Sequence, residues 1–163
     1  MAKQKATGGT PAVQALERAG VPHLVRSYEH DPRAASYGLE AAEALGADPT
    51  RVFKTLVADA GRTLVVGVVP VAARLDLKVL ASAVGARKAT MADPQVAERA
   101  TGHVVGGISP LGQKRPLPTV VDDSALEHET VLVSGGRRGL EIELAPADLI
   151  ALTHATTAPL ARA

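Results

Sequence analysis

A single lysine interrupts the apolar run VFKTLV, and two glycine-bearing segments, VVGGISPLG and VSGGRRGLEIEL, follow it along the chain. Alternation along a strand puts Lys54 on the face of Val52 and Leu56, with Phe53, Thr55 and Val57 on the other face. Taken alone, such a lysine reads as a side chain that lays its stem on apolar surface and keeps its ammonium in water. For Gly106 and Gly107 one reading is a β-bulge. The other is a place where a ligand comes close to the backbone and takes up free N–H groups, with a carbonyl or phosphate oxygen as the guest. Ser134-Gly135-Gly136 reads as the turn of a hairpin whose glycines supply positive φ, a role that leaves room for binding as well.

Other chemistries lack their signatures. The 163 residues include no cysteine, so the chain offers no disulfide framework, zinc ribbon or thiol nucleophile of its own. Ser109 precedes a proline and lacks the Gly-x-Ser-x-Gly elbow, and neither double-glycine segment fits a phosphate-binding loop or a dinucleotide fingerprint. His23, His30, His103, His128 and His154 are scattered without the spacing of a zinc helix, so no metal and no cofactor is expected. A net charge of +1 gives no global field for a polyanion, which leaves local basic pairs as the means of touching nucleic acid: Arg87-Lys88, Lys114-Arg115 and Arg137-Arg138. The start, MAKQKATGGTP, lacks an apolar signal region and no run is long enough to span a bilayer, so a soluble chain kept in the cytoplasm and away from membranes is expected.

The elements that must position these residues are well punctuated. Thr10-Pro11 opens a helix that Gly20 closes, and Asp48-Pro49 and Asp93-Pro94 repeat the pairing of an acidic cap with a proline where its missing N–H costs nothing. YGLEAAEALG, DLKVLASAVG and PADLIALTHA are further helices. VFKTLVAD and TLVVGVV form a hairpin about AGR, and HVVGGIS, PTVVD, ETVLVS and LEIEL read as four more strands. This order predicts an α+β chain forming one domain over residues 1–163, with a mixed, mostly antiparallel sheet and flexible ends at 1–9 and 156–163. An aromatic content of 2% leaves the core to Ala, Val and Leu, and makes Tyr28, Tyr37 and Phe53 conspicuous.

VFKTLV, GHVVGGISPLGQKRPLPTVVD and SGGRRGLEIEL, in this order and spacing, resemble the YbaK family of aminoacyl-tRNA editing proteins, in particular the branch that deacylates Cys-tRNA(Pro). The resemblance runs from about Thr10 to His154. It implies the fold of the editing insertion of bacterial prolyl-tRNA synthetase, a curved, barrel-like sheet surrounded by helices. It also implies a pocket made of Lys54 as the catalytic residue, with Tyr28, Tyr37, Thr55, Gly106, Gly107, Ile108, Ser134, Gly135 and Glu141 binding substrate. Gly136 completes the second turn, and His103 stands where the family commonly has tyrosine, an exchange expected to be neutral.

The implied activity is removal of cysteine from mischarged tRNA(Pro), with the substrate's own thiol attacking its ester. A free thiol is already a few per cent ionised at neutral pH, which removes the need for a protein nucleophile. On this expectation backbone N–H groups around Gly106, Gly107 and Gly135 steady the carbonyl oxygen, and prolyl-tRNA synthetase is the partner that supplies affinity and tRNA selectivity. Two alternatives stand beside it: water-mediated deacylation of another mischarged tRNA such as Ala-tRNA(Pro), and a non-catalytic module that binds tRNA or a synthetase.

Overall fold

The computed structural model describes residues 9–34 and 36–163. Residues 1–8, most of the amino-terminal segment expected to be flexible, lie outside it. Helix α1 (Pro11–Ala19) begins as its sequence dictates. The Thr10 hydroxyl accepts the Val13 N–H, proline occupies the first turn, and Gly20 ends the helix at φ 67°. The same hydroxyl donates to the carbonyl of Gly135, pinning α1 to a distant turn. Strand β1 (Leu24–Ser27), which the sequence reading lacked, leads to α2 (Tyr37–Leu45), capped by Ser36. Asp48-Pro49 yields only a 3₁₀ turn, Pro49–Arg51, because the chain must extend again at Val52 to enter the sheet.

Strands β2 (Phe53–Asp59) and β3 (Leu64–Pro70) form the expected antiparallel hairpin. After β4 (Arg74–Leu75) come α3 (Leu77–Ala83), β5 (Thr90–Met91) and α4 (Pro94–Thr101), then β6 (Thr119–Asp122) and a 3₁₀ stretch, Asp123–Glu127. Strands β7 (Val131–Ser134) and β8 (Leu140–Leu144), α5 (Pro146–Thr153), β9 (Thr156–Ala158) and β10 (Ala161–Arg162) complete the described chain. One sheet has the order β5-β2-β3-β6-β9, in which β3-β6 and β6-β9 are parallel; a second is the antiparallel β1-β8-β7, and β4 pairs with β10. A parallel bridge between Val52 and Leu132 joins the two larger sheets, so the α+β chain carries a curved surface seamed at that point.

Alternation sorts the core. Phe53, Val57, Val66, Val68 and Val121 meet Val131, Val133, Leu140 and Ile142 inside the curve, with Val13 and Leu16 of α1 closing one end. Val65, Val69 and Val120 face the other way, onto Leu80 of α3 and Leu160. Among the described residues no helix is long and apolar enough to cross a membrane.

Two expectations are corrected. HVVGGIS is not a strand: 102–118 is irregular, because Gly106 takes φ 90° and Pro110, Pro116 and Pro118 withhold ladder donors. The carboxy-terminal residues are not frayed either. Strand β9 pairs with β6, the Ala161 N–H donates to Asp122 Oδ1, and Leu160 is fully buried. Leu160→Ala is therefore expected to cost about 2–5 kcal/mol in urea unfolding, whereas a frayed tail would leave the midpoint unmoved.

Candidate active site

The seam opens into the site. Val71 donates its N–H to the Val52 carbonyl, so even-numbered residues of β2 hydrogen-bond toward β3; Ala92 donates to the Val57 carbonyl, so odd-numbered ones face the opposite edge. Between the Val52 bridge and β5, which pairs only with Ala58 and Asp59, no strand among the described residues covers that edge. Beyond that bridge the backbone groups of Thr55 thus face a gap between β2 and β7. A cavity of about 380 Å³ occupies this region, lined by Lys54, Thr55, Tyr37, Gly106, Ile108, Ser134 and Glu141 from the sequence-derived set. Phe53, Val57, Ala97 and Met91, none of them among the site residues expected from the sequence, add apolar walls.

Tyr28, Gly107 and Gly135 do not line the cavity. Gly107 donates its N–H to the Val104 carbonyl and Gly135 donates to the Leu140 carbonyl, so neither amide is open to a substrate oxygen, contrary to expectation. Their absent side chains serve packing instead: a Cβ on Gly107 would lie 2.7 Å from the Arg137 Cα, and one on Gly135 would lie 2.7 Å from Leu140 Cγ. The N–H groups of Gly106 and Ile108 remain without a hydrogen-bond acceptor among the described residues. Residues 135–139 form the hairpin loop between β7 and β8, with positive φ at Gly136 and Gly139.

Side chains hold the glycine loop in place. Glu98 accepts the Val105 N–H at 2.8 Å, and Arg138 donates to the Val105 carbonyl through Nε and Nη2 at 3.0 and 2.6 Å. The Arg138 guanidinium also lies over the Tyr37 ring, 4.5 Å from its centroid. Gly106 is pressed between the two: a Cβ there would meet Arg138 Nε at 2.6 Å and Tyr37 Cδ2 at 2.8 Å. Buried His103 accepts the Ser109 N–H on Nδ1, and its desolvation disfavours the charged imidazolium that would lose this acceptor. Tyr37 also lies against His30, with ring centroids 5.7 Å apart, and His30 is itself bonded to Glu40 at 2.8 Å. The sequence reading named Arg138 only as half of a basic pair and His103 only as a neutral replacement for tyrosine; their part in holding this loop depends on Val105 and Ser109 being brought to them by the fold.

Electrostatics inside the cavity is set by desolvation. Burial lowers the Lys54 pKa, and burial pushes the Glu141 carboxyl up to about 8. The two make no ion pair, and the Thr55 hydroxyl, on an 8% exposed residue, has no hydrogen-bond partner among the described residues. At neutral pH the site therefore holds a lysine whose charged form is disfavoured by burial, a largely protonated carboxyl and an unengaged hydroxyl. Tyr28 is pushed up to about 12, first by its own burial and then by Glu141, which is ionised in the pH range where a phenol titrates. No group of three or more His, Cys, Asp or Glu side chains among the described residues could hold a metal ion.

Residues 31–152 match the family described as the aminoacyl-tRNA editing domain. The chain belongs to that family. It is 39% identical over 156 residues, 94% of either chain, to EbsC of Enterococcus faecalis, provisionally named a Cys-tRNA(Pro)/Cys-tRNA(Cys) deacylase. A crystal structure described provisionally as a trans-editing enzyme for prolyl-tRNA synthetase superposes with a TM-score of 0.83 at 30% identity, covering 94% of this chain and 96% of that one. The hypothetical protein APE2540 shares the fold, with a TM-score of 0.83 at 24% identity over 94% of this chain and 100% of its own.

A carboxyl that folding keeps protonated makes stability fall as pH rises. Below the ordinary carboxylate pKa Glu141 is protonated in folded and unfolded chains alike; between about 4.5 and 8 only the unfolded chain releases its proton, and above 8 the loss is complete. Glu141→Gln is therefore expected to gain stability over the natural chain by a few kcal/mol between pH 5 and pH 9, since a tenfold difference in proton affinity between the folded and unfolded chains is worth about 1.4 kcal/mol. Urea unfolding of both proteins across that range reads the difference. Parallel pH profiles would show that Glu141 titrates as an exposed carboxyl.

Proposed function

We propose that this chain is a free-standing deacylase that removes cysteine from mischarged Cys-tRNA(Pro). The observation that carries the reading is a cavity that gathers an amine, an unengaged hydroxyl and a protonated carboxyl, yet is lined by no cysteine or histidine able to serve or activate a nucleophile. The serine hydroxyls on its wall are spoken for locally: Ser134 Oγ accepts the Gly136 N–H and Ser36 Oγ accepts the Leu39 N–H. Family membership and the names carried by EbsC and the trans-editing structure support the same substrate class.

In the proposed reaction the cysteinyl thiol loses its proton and the sulfur attacks the ester carbonyl carbon. A C–S bond forms, the C–O bond to the terminal ribose breaks, and the ribose oxygen takes up a proton, leaving free tRNA and a thiolactone that water later opens. Lys54 supplies positive charge toward the ester oxygens as they become negative. Glu141, protonated at neutral pH, donates a hydrogen bond and presents no anion to repel the thiolate. The Gly106 N–H and the edge backbone of β2 are the remaining donors for the carbonyl oxygen. Apolar walls from Phe53, Val57 and Ala97 keep the site dry, which strengthens each of these interactions.

Discrimination of cysteine from proline in a synthetase pocket is weak because the two differ by little more than a methylene's worth of contact, about 1–3 kcal/mol. Editing after release answers that shortfall. Prolyl-tRNA synthetase is the proposed partner, supplying tRNA selectivity in the cytoplasm where charging occurs.

Incubation with tRNA(Pro) charged with cysteine, serine, alanine or proline tests the reading. Cysteinyl ester is expected to be cleaved about a hundredfold or more faster than seryl ester, whose hydroxyl is hardly ionised and has no base beside it. A trapped thiolactone is the direct product. Lys54→Ala should lower the rate about 10²- to 10³-fold with little change in unfolding midpoint. Equal rates on the cysteinyl and seryl esters would replace the thiol by a guided water, and no cleavage of any ester would make the chain a binding module.

A further inference from the structure

A second concavity, separate from the cavity at the seam, has no part in the chemistry above. It is a cleft of about 690 Å³ between the β2–β3 turn, the end of α3 and the start of β6, and Arg62, Arg87 and Lys88 line it together with Thr63, Thr156 and His154. No carboxylate lines it. The nearest one along the chain, Asp59, is engaged by the Gly61 N–H at 2.9 Å. Arg62, Arg87 and Lys88 are exposed, and none of their side chains makes an ion pair or hydrogen bond among the described residues. Arg26, Arg51 and Arg138, by contrast, are all engaged by protein acceptors. On a chain with net charge +1, three unengaged cations gathered in one concavity mark a local anion site.

The chain path connects this cleft to the cavity. Arg87 and Lys88 run directly into Met91 and Ala92, which line the cavity wall. Lys88 and Met91 are three residues apart, so their Cα atoms are separated by no more than about 11 Å. On the neighbouring strand, Ala60 of the cleft lies six residues beyond Lys54, no more than about 22 Å away. An anion bound in the cleft would thus lie within a short reach of whatever enters the cavity.

We propose that the cleft formed by Arg62, Arg87 and Lys88 binds the phosphodiester backbone of the base-paired stem of the RNA whose aminoacylated end enters the cavity. The proposal rests on the aminoacyl-tRNA reading for what lies in the cavity. The phosphate chemistry is read from the cleft itself. Arginine and lysine on mobile stems suit a charged backbone and carry no base readout, so the contact gives affinity without sequence preference. Selectivity for one tRNA must then come from elsewhere.

The test separates the cleft from the active site. Fluorescence anisotropy with uncharged tRNA and with a short RNA hairpin, titrated from about 50 to 200 mM KCl, compares the natural chain with the triple variant Arg62→Ala/Arg87→Ala/Lys88→Ala. If each residue meets one phosphate, the slope of log affinity against log salt should become shallower by about 2–3 in the variant. The double variant Arg62→Lys/Arg87→Lys should keep most of the slope. All three side chains are exposed, so unfolding midpoints should match. A parallel arm follows deacylation of cysteinyl-tRNA(Pro) and of cysteinyl-adenosine: the triple variant should raise KM at least tenfold on the tRNA and leave the adenosine ester unaffected. Inactivity of the natural chain on both esters would count against the deacylase reading, while the anisotropy arm would still decide the cleft. Equal RNA affinity and salt slope in natural and triple-variant proteins would overturn the proposal. Unchanged RNA binding with weakened binding of polyglutamate would also overturn it, assigning the cleft to an acidic protein partner.

Discussion

Everything at the site depends on β2 having two different neighbours. Along its full length it is zipped to β3, but on its other edge the only pairing with β7 among the described residues is the Val52–Leu132 bridge just before the strand, and β5 pairs only with Ala58 and Asp59. A strand edge left open in a protein interior normally exposes costly unpaired donors and acceptors. Here that edge forms the wall of a cavity. The seam is clamped from outside by Glu143, which accepts from Thr130 at 2.7 Å, Arg26 at 2.7 Å and Arg51 at 2.8 Å. These bonds, the one from Thr130 foremost, hold the carboxyl below its ordinary pKa, so it remains an acceptor at neutral pH. Arg51 immediately precedes the bridge residue Val52, and Thr130 immediately precedes β7, so the clamp fixes where the two sheets join and where they part.

The opposite wall is irregular chain, and its order comes from outside itself. Segment 102–118 has no ladder, yet Val105 within it is held through both of its backbone groups, the N–H by Glu98 of α4 and the carbonyl by Arg138 of the β7–β8 turn. Arg138 performs two tasks with one guanidinium, bonding the Val105 carbonyl and covering Tyr37. Only glycine fits at 106, because the arginine and the tyrosine fill the space a side chain would need. Admitting a ligand to the backbone is therefore half the explanation for these glycines. Gly106 borders the cavity, whereas Gly107 and Gly135 let segments of the protein approach one another.

The cavity also keeps apart an amine and a carboxyl that would form an ion pair if they met. Lys54 and Glu141 are both removed from water without forming a pair, so each is displaced toward its neutral form. An ion pair would have given two satisfied, inert charges. Unpaired, they leave a polarisable amine and a proton donor facing the same volume, an arrangement that stabilises charge arising in a substrate more than charge already present.

The sequence by itself determined the elements with local signals: the caps at Thr10, Asp48 and Asp93, the glycine stops, the β2–β3 hairpin and the β7–β8 hairpin. It also picked out Lys54, Thr55, Tyr37, Gly106, Ile108, Ser134 and Glu141, through order and spacing that resemble a known family, and all of these line one cavity. What it could not determine were states that depend on distant neighbours. HVVGGIS has strand composition but sits where loop positions and prolines preclude a ladder, and β1, β9 and β10 are too short or too polar to announce themselves without β8, β6 and β4 beside them. Which amides are free, which cations are engaged and which carboxyl stays protonated were decided only by tertiary structure. Hydrogen-bond commitment and desolvation are properties of the assembled surroundings and not of a residue's place in the chain.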